Sequence, residues 1–286
     1  MSNPSLGEKL IAWATTEPSI HLLVLIGSRA RAPDAVAAAD AFSDWDFQIA
    51  TSRPEMFDDG AWLTAPGLAP LAYVNRTGRL GSARKATVVS ELGELDLVII
   101  PVDPLRSVAQ LVSAGRWADQ PPARQALTDL SAVLAGGYSI LKGAAEFAGL
   151  YDLVAREVSP ARLDAAAVRQ LAEAFVCDYV FTRRKIDRGE LLAAQRWLHH
   201  HLAETNFRLR HELRLRHGHI SFPDARRLEQ LGGSDRDKVT VAALPSAGGL
   251  RVAVEETAAT HRRLVAALLD GRWQWPDLTP LRLRAE

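Results

Sequence analysis

Short stretches in which apolar and polar residues alternate fill much of the first hundred positions. This period of two is typical of half-buried strands, and glycine or proline separates one stretch from the next. The predicted strands cover residues 21–26, 44–50, 69–75, 85–89 and 94–100. An amphipathic helix over 5–15 precedes them, and Pro104 is predicted to open another helix before a last strand at 138–141. The pattern indicates a sheet with flanking helices.

The period changes in the second half of the chain. Apolar residues there recur at three, four and seven positions, which is the spacing of one helix face. The predicted helices are one through Val168 and Tyr179, a longer one through Leu191 and Leu213, and one over 257–269. We therefore predict an α/β (α+β) protein with a mixed sheet and flanking helices in residues 1–150 and a helical bundle in residues 151–286.

Composition narrows the function classes. The chain has 286 residues, enough for two ordinary domains, and its 34 basic residues equal its 34 acidic ones. A protein that follows a nucleic acid backbone usually has a basic excess, so we expect no nucleic acid partner. No apolar run is long enough to span a bilayer and no signal-peptide pattern is present, so a cytoplasmic protein is expected. The single cysteine, Cys177, excludes an intramolecular disulfide and is predicted to be buried in a helix.

The first candidate site follows the apolar strand 22–26. Gly27, Ser28 and Arg29 come directly after it. A glycine lets the backbone approach a ligand closely, and backbone N–H groups with a serine hydroxyl can bind phosphate oxygens. The turn at Gly27 therefore predicts a phosphate site.

Carboxylates supply the second candidate site. Side chains alternate along a strand, so Asp44 and Asp46 share a face about 7 Å apart, at roughly 3.3 Å per residue. Asp96 lies within another alternating strand, on the face opposite its leucine and isoleucine neighbours. If the two strands are adjacent, all three carboxylates meet above the sheet. Such a set predicts a site for a pair of divalent cations.

Three segments resemble one enzyme family. They are Gly27-Ser28-Arg29, the run 42–47 with its Asp-x-Asp, and the run 95–103 with Asp96. These segments resemble the bacterial aminoglycoside 6-adenylyltransferases, which modify streptomycin and belong to the DNA polymerase β-like nucleotidyltransferase superfamily. The segment 185–191 also resembles part of that family's helical domain. The chain differs from the family in a longer connection before Asp44 and in the region after Leu215.

The resemblance implies a reaction. An enzyme of this family moves AMP from ATP to a hydroxyl of a streptomycin-like aminoglycoside, releases pyrophosphate and confers antibiotic resistance. Asp44 and Asp46 would hold two Mg²⁺ ions, while Gly27, Ser28 and Arg29 would hold the phosphates of ATP. Asp96 would either ligate the catalytic metal or accept the acceptor's proton, and the sequence does not distinguish these two roles. The active site is expected in the cleft between sheet and bundle.

The helical half offers two further candidates. Lys185 could contact the triphosphate tail, and Glu190 could bind a cationic acceptor, although an ordinary surface charge is the simpler interpretation of each. Two alternative functions stay open. One is a lincosamide or other small-molecule nucleotidyltransferase, and the other is a non-catalytic nucleotide-binding antitoxin or regulatory protein. A monomer or homodimer is expected.

Overall fold

The protein divides into two compact units. The computed structural model describes residues 4–77, 83–231, 239 and 241–281. The first unit spans Met1–Ala161 and the second Arg162–Glu286. We call them the sheet unit and the helical unit.

A single sheet organises the first unit. Among the described residues it has six strands: β1 (Ile20–Ile26), β2 (Trp45–Thr51), β3 (Pro70–Thr77), β4 (Arg84–Ser90), β5 (Gly93–Pro101) and β6 (Tyr138–Lys142). Their order across the sheet is β3-β4-β5-β2-β1-β6. β2 and β5 are parallel, and the other neighbouring pairs are antiparallel. The predicted mixed sheet is confirmed, with each strand close to its expected position.

Helices cover both faces of the sheet. Helix α1 (Leu6–Thr16) begins at a capping box made by Ser5 and Glu8, and its buried leucines pack on the face that carries Phe47 and Ile49. The opposite face is covered by α2 (Val102–Ser113), α3 (Pro121–Leu134) and α4 (Ala144–Glu157). This second face also carries the side chains that alternate with Phe47, and it therefore contains the acidic residues.

The helix predictions for this unit were incomplete. No helix was predicted at α3, and residues 149–160 were expected to be the passage into the helical region rather than part of α4. The expected domain boundary after residue 150 falls inside α4, where Tyr151 and Val154 are fully buried against the sheet. Packing of this helix face extends the sheet unit beyond the predicted position. Helix α2 starts at Val102, slightly before Pro104.

The second unit is helical, as predicted. Its helices are α5 (Ala165–Asp187), α6 (Leu191–Trp197), α7 (Glu204–Arg216), α8 (Leu228–Leu231) and α9 (Ala247–Leu268). The leucine pattern predicts one continuous helix over 191–213, but a π-helical segment, Leu198–Ala203, separates α6 from α7. In this segment each turn contains an extra residue, so Leu198 and Leu202 still face the core.

One residue of this unit differs from its predicted environment. Cys177 is exposed, although it lies on α5 among apolar neighbours. Phe175 and Tyr179 occupy the buried face of the helix, and a residue two positions from each of them points to another side. Within the described ranges, no helix combines the length and apolar composition needed to cross a membrane.

Candidate active site

Three aspartates converge at one end of the sheet. Asp46 in β2 is the register partner of Asp96 in the parallel neighbour β5, and Asp44 lies immediately before β2. Each offers a carboxylate oxygen, and these three atoms lie within 4.8 Å of one another. In the part of the chain that the structure describes, this is the one group of acidic, histidine or cysteine side chains spaced for a metal ion. The structure thus brings together the three residues that the sequence singled out.

The turn after β1 lies directly beside this group. Gly27 has a φ of +77°, and a Cβ on it would lie 2.7 Å from Oδ2 of Asp46. Any larger residue would therefore be strained and would press on the carboxylate. Gly27 also donates its N–H to the carbonyl of Gly137, at 3.1 Å, which fixes the turn. Ser28 follows as a buried residue of the 3₁₀ turn Gly27–Ala30.

Arg29 contacts protein groups rather than open space. Its Nε donates to the carbonyl of Asp44 at 2.9 Å, and its Nη2 donates to the carbonyl of Ser43 at 2.5 Å. The guanidinium also lies 4.4 Å from the centre of the Trp45 ring. In the structure Arg29 holds the backbone that leads into β2, and its contact with phosphate stays a prediction. These contacts fix the position of the backbone at Asp44.

Trp45 anchors the same segment on the other face of the sheet. Its ring is parallel to that of Phe47, with 5.9 Å between the centroids. Gly7 of α1 also packs against the Trp45 ring, and a Cβ added to Gly7 would overlap the indole. Because Trp45 lies between Asp44 and Asp46 in sequence, its packing limits the motion of both carboxylates.

Two residues of β4 hold Asp96, and the sequence analysis missed both. Thr87 donates its hydroxyl to Oδ1 of Asp96 at 2.6 Å, and Lys85 places its ammonium 2.6 Å from Oδ2. Thr87 is the register partner of Asp96 in the antiparallel β4–β5 pair. Their alternate positions in β4 indicate a shared face, but only the strand register shows which residue they face.

The two candidates of the helical half lie beside each other. Nζ of Lys185 is 3.5 Å from Oε2 of Glu190 and 5.3 Å from the centre of the Trp197 ring. Arg188 approaches the other carboxylate oxygen of Glu190 at 3.8 Å. Glu190 precedes α6 but makes no side-chain cap hydrogen bond. It is therefore one member of a small surface ion-pair group.

The donor chemistry at the three aspartates suits a hard divalent cation. Magnesium prefers carboxylate oxygens and keeps part of its water shell, so it needs only a few protein ligands. All three aspartates are half-buried, so none of them is closed off from solvent. Like charges this close repel one another, and a bound cation would relieve that repulsion. The residues present therefore fit a magnesium site.

The chain was compared with protein families, curated proteins and solved structures. Neither protein-family models nor curated proteins give a match to the sequence. Among solved structures, an aminoglycoside 6-adenyltransferase from Bacillus subtilis is similar, with a TM-score of 0.40, 13% identity, and coverage of 96% of this chain and 94% of that one. A nucleotidyltransferase-like protein from Exiguobacterium sibiricum gives a TM-score of 0.33 and 11% identity over 93% of this chain and 75% of that chain. The predicted resemblance and these structures name the same group of proteins.

Proposed function

We propose that this protein is a nucleotidyltransferase that moves AMP from ATP to a hydroxyl of a small acceptor and releases pyrophosphate. The observation that carries the proposal is the convergence of Asp44, Asp46 and Asp96 beside the Gly27 turn. Nucleotidyl transfer depends on charge neutralisation and in-line positioning more than on covalent catalysis by the protein. A carboxylate cluster beside a tight turn can supply both.

The three aspartates would hold the metal, and the turn would hold the phosphates. When bound, Mg²⁺ would neutralise the negative charge of the triphosphate and of the leaving group. Ser28 and Arg29 would contact phosphate oxygens, and Arg29 also keeps the segment before β2 in position. In the reaction, the acceptor oxygen forms a bond to the α-phosphorus, and the bond from that phosphorus to the bridging oxygen breaks. Pyrophosphate leaves with the electron pair.

Asp96 has two roles available to it. It could complete the metal site, or it could accept the proton that the acceptor hydroxyl loses. Substitution by alanine separates the two. Loss of a general base alone lowers the rate by about 10² to 10⁴ and leaves Mg²⁺ affinity nearly unchanged, whereas loss of a ligand weakens Mg²⁺ binding.

A streptomycin-like aminoglycoside is the acceptor that the family resemblance favours, with Glu190 as its cation-binding group. A lincosamide acceptor is the second candidate, and a cavity described in the next subsection favours it. The third candidate, a non-catalytic nucleotide-binding protein, has no need to keep three mutually repelling carboxylates together. Catalysis is therefore the better-supported function.

Pyrophosphate release tests the proposal directly. The protein is incubated with ATP and Mg²⁺ and with each of several aminoglycosides and lincosamides, and the products are analysed by mass spectrometry. We expect an acceptor-dependent release of pyrophosphate and an acceptor heavier by one AMP. The Asp44→Asn protein serves as the inactive control. Release that is independent of the acceptor, or absent with every compound, would contradict the proposal.

A further inference from the structure

A cavity of about 550 Å³ lies in the sheet unit, between the acidic face of the sheet and helices α2 and α3. Its size is within the range of small-molecule sites. The walls are mainly apolar and include Val98 of β5, Leu105 and Val108 of α2, and Leu130 of α3. Gln48 is the polar side chain at the sheet, and its Oε1 accepts a hydrogen bond from Tyr151 at 2.5 Å.

Strand register connects this cavity to the aspartates. Gln48 is two residues beyond Asp46 in β2, and Val98 is two residues beyond Asp96 in β5. Residues two apart share a face of a strand and lie about 7 Å apart, at roughly 3.3 Å per residue. The cavity therefore begins on the same face of the sheet, one step along the strands from the carboxylates.

The position across the sheet indicates which reactant would use the cavity. The Gly27 turn ends β1, on one side of β2, whereas Val98 belongs to β5 on the other side. An in-line displacement needs the attacking oxygen and the leaving oxygen on opposite sides of the phosphorus. If the turn holds the phosphates that leave, the acceptor approaches from the β5 side, where the cavity lies.

We propose that this cavity is the acceptor subsite and that it takes an apolar ring or alkyl group of a hydroxylated small molecule. The inference rests on the proposed function and deepens it, because it names the chemical class of the acceptor. The walls are apolar apart from Gln48 and the hydrogen-bonded pair Gln125 and Asp129, so they favour such a group through burial and offer a polycation one carboxylate rather than several. The acceptor is therefore amphipathic, with its reactive hydroxyl at the aspartates and its apolar part against α2 and α3.

Two exposed alanines of α3 give a matched pair of variants. Ala126 lines the cavity, whereas Ala132 is also exposed on the same helix and does not line it.

The probes are lincomycin, whose pyrrolidine ring carries a propyl chain, and streptomycin, which carries two guanidinium groups. We expect lincomycin to be the better acceptor. Ala126→Phe should raise its KM at least roughly tenfold, the effect of losing about two buried methylene groups. The KM for ATP should stay within about twofold, and Ala132→Phe should change neither value.

A second variant covers the case in which Ala126→Phe does not fold. Val108→Thr keeps the shape of the side chain but introduces a hydroxyl into the wall, and it should also raise the KM for lincomycin. A preference for streptomycin, or an unchanged lincomycin KM in folded Ala126→Phe or Val108→Thr, would overturn the inference. Either result leaves the proposed function intact if pyrophosphate is still released.

Direct binding separates failure of the inference from failure of the proposed function. If no acceptor supports pyrophosphate release, isothermal titration of lincomycin into the wild type and the Ala126→Phe protein still tests the cavity. Binding that is lost in Ala126→Phe and kept in Ala132→Phe would support the subsite. No lincomycin binding by the wild type would overturn it.

Discussion

The two units differ in how their carboxylates are arranged, although one carboxylate of the cluster in the sheet unit, that of Asp96, also contacts Lys85. In the sheet unit, three carboxylates lie within 4.8 Å of one another. In the helical unit, carboxylates are instead met by arginines: Glu212 by Arg162 and Arg216, Asp187 by Arg251, and Glu255 by Arg183. Charges paired in this way stabilise a fold or leave it unchanged, whereas like charges held together cost stability. This difference is the reason for placing the proposed active site in the sheet unit.

A rigid core keeps the three carboxylates close together despite their mutual repulsion. Phe47, Ile49 and Leu97 are fully buried on the face opposite the aspartates, so the two central strands cannot separate to relieve the repulsion. Trp45 and its contact with Arg29 restrain the start of β2. The helical unit has no comparable group among its described residues, and its buried ions serve the packing of helices.

The largest effect is expected at the aspartates. Asp46→Asn should lower the rate of pyrophosphate release at least roughly 10³-fold, because a neutral amide binds a divalent cation less tightly and several kcal/mol of charge stabilisation are lost. The free energy of unfolding should stay the same or rise, since one of three repelling charges is removed. Release assays and urea denaturation measure the two quantities. Asp34→Asn, an exposed position outside the site, is the control. Near-normal turnover by Asp46→Asn would contradict the assignment.

A change at Glu212 should lower stability and leave turnover unchanged, the reverse of the effect expected for Asp46→Asn. Its side chain is 5% exposed and accepts hydrogen bonds from Arg162 and Arg216 and from the N–H of Leu163. Glu212→Gln should lower the free energy of unfolding by about 1.5 to 3 kcal/mol, the range for hydrogen bonds to charged groups. Turnover of the folded protein should be unchanged. Glu229→Gln, at an exposed glutamate, should be silent in both assays. A selective loss of turnover in Glu212→Gln would contradict the view that the paired carboxylates of the helical unit serve stability alone.

Acid should weaken the helical unit through His261. This side chain is fully buried, stacks on Phe175 at 3.7 Å, and has its Nδ1 3.0 Å from Oδ1 of Asn206. Burial, with a smaller contribution from Arg262, lowers the pKa of His261 to about 3. Its contribution to stability is therefore complete above the unfolded pKa of about 6.5 and is lost as the pH falls towards 3.

Urea unfolding at two pH values measures this contribution. Between pH 7 and pH 5 the wild type should lose about 2 kcal/mol more than His261→Gln, from a slope of about 1.4 kcal/mol per pH unit below pH 6.5. The exposed His199 gives the control, since His199→Gln should keep the wild-type slope. Equal slopes in wild type and His261→Gln would show that His261 does not titrate on unfolding.

Thr87 should have a smaller effect, confined to the sheet unit. Thr87→Val removes the hydroxyl that holds Oδ1 of Asp96 and should weaken Mg²⁺ binding about tenfold, near the lower limit for a hydrogen bond to a charged group. Thr87→Ser should restore most of the affinity. Calorimetric titration with Mg²⁺ or Mn²⁺ in the absence of ATP measures this without turnover. Unchanged affinity in Thr87→Val would mean that the Thr87 hydroxyl does not orient Asp96 for the metal.

The smallest effect on stability is expected at Glu190. Its ion pairs with Lys185 and Arg188 are partly exposed, and such pairs contribute about 0 to 1 kcal/mol. Glu190→Gln should therefore barely change the free energy of unfolding. If Glu190 binds a cationic acceptor, the KM for streptomycin rises while that for ATP does not. Unchanged values for both substrates would exclude Glu190 from acceptor binding.

Local patterns in the sequence were sufficient for several features of the sheet unit. Alternation alone placed Asp46 and Phe47 on opposite faces, because side chains of a strand must point to alternate sides. Each predicted strand is present for the same reason. The prediction missed α3 and most of α4, although their buried residues recur at three and four positions: Ala123, Leu127, Leu130 and Leu134 in α3, and Phe147, Leu150, Tyr151 and Val154 in α4. The burial of Tyr151 that stabilises α4 depends on a sheet formed from distant residues.

The sequence by itself determined which residues carry the candidate chemistry, namely Asp44, Asp46, Asp96 and the Gly27 turn. Only the tertiary structure decided what surrounds them. The parallel register that joins Asp46 to Asp96, and the antiparallel register that brings Thr87 to Asp96, are pairings between segments far apart in the chain. Register follows from the burial of whole faces and from the paths of loops, so a short motif contains no information about it. The physical reason is that alternation within a strand is local, whereas the partner of each carboxylate is fixed by how separate strands pack on a common core.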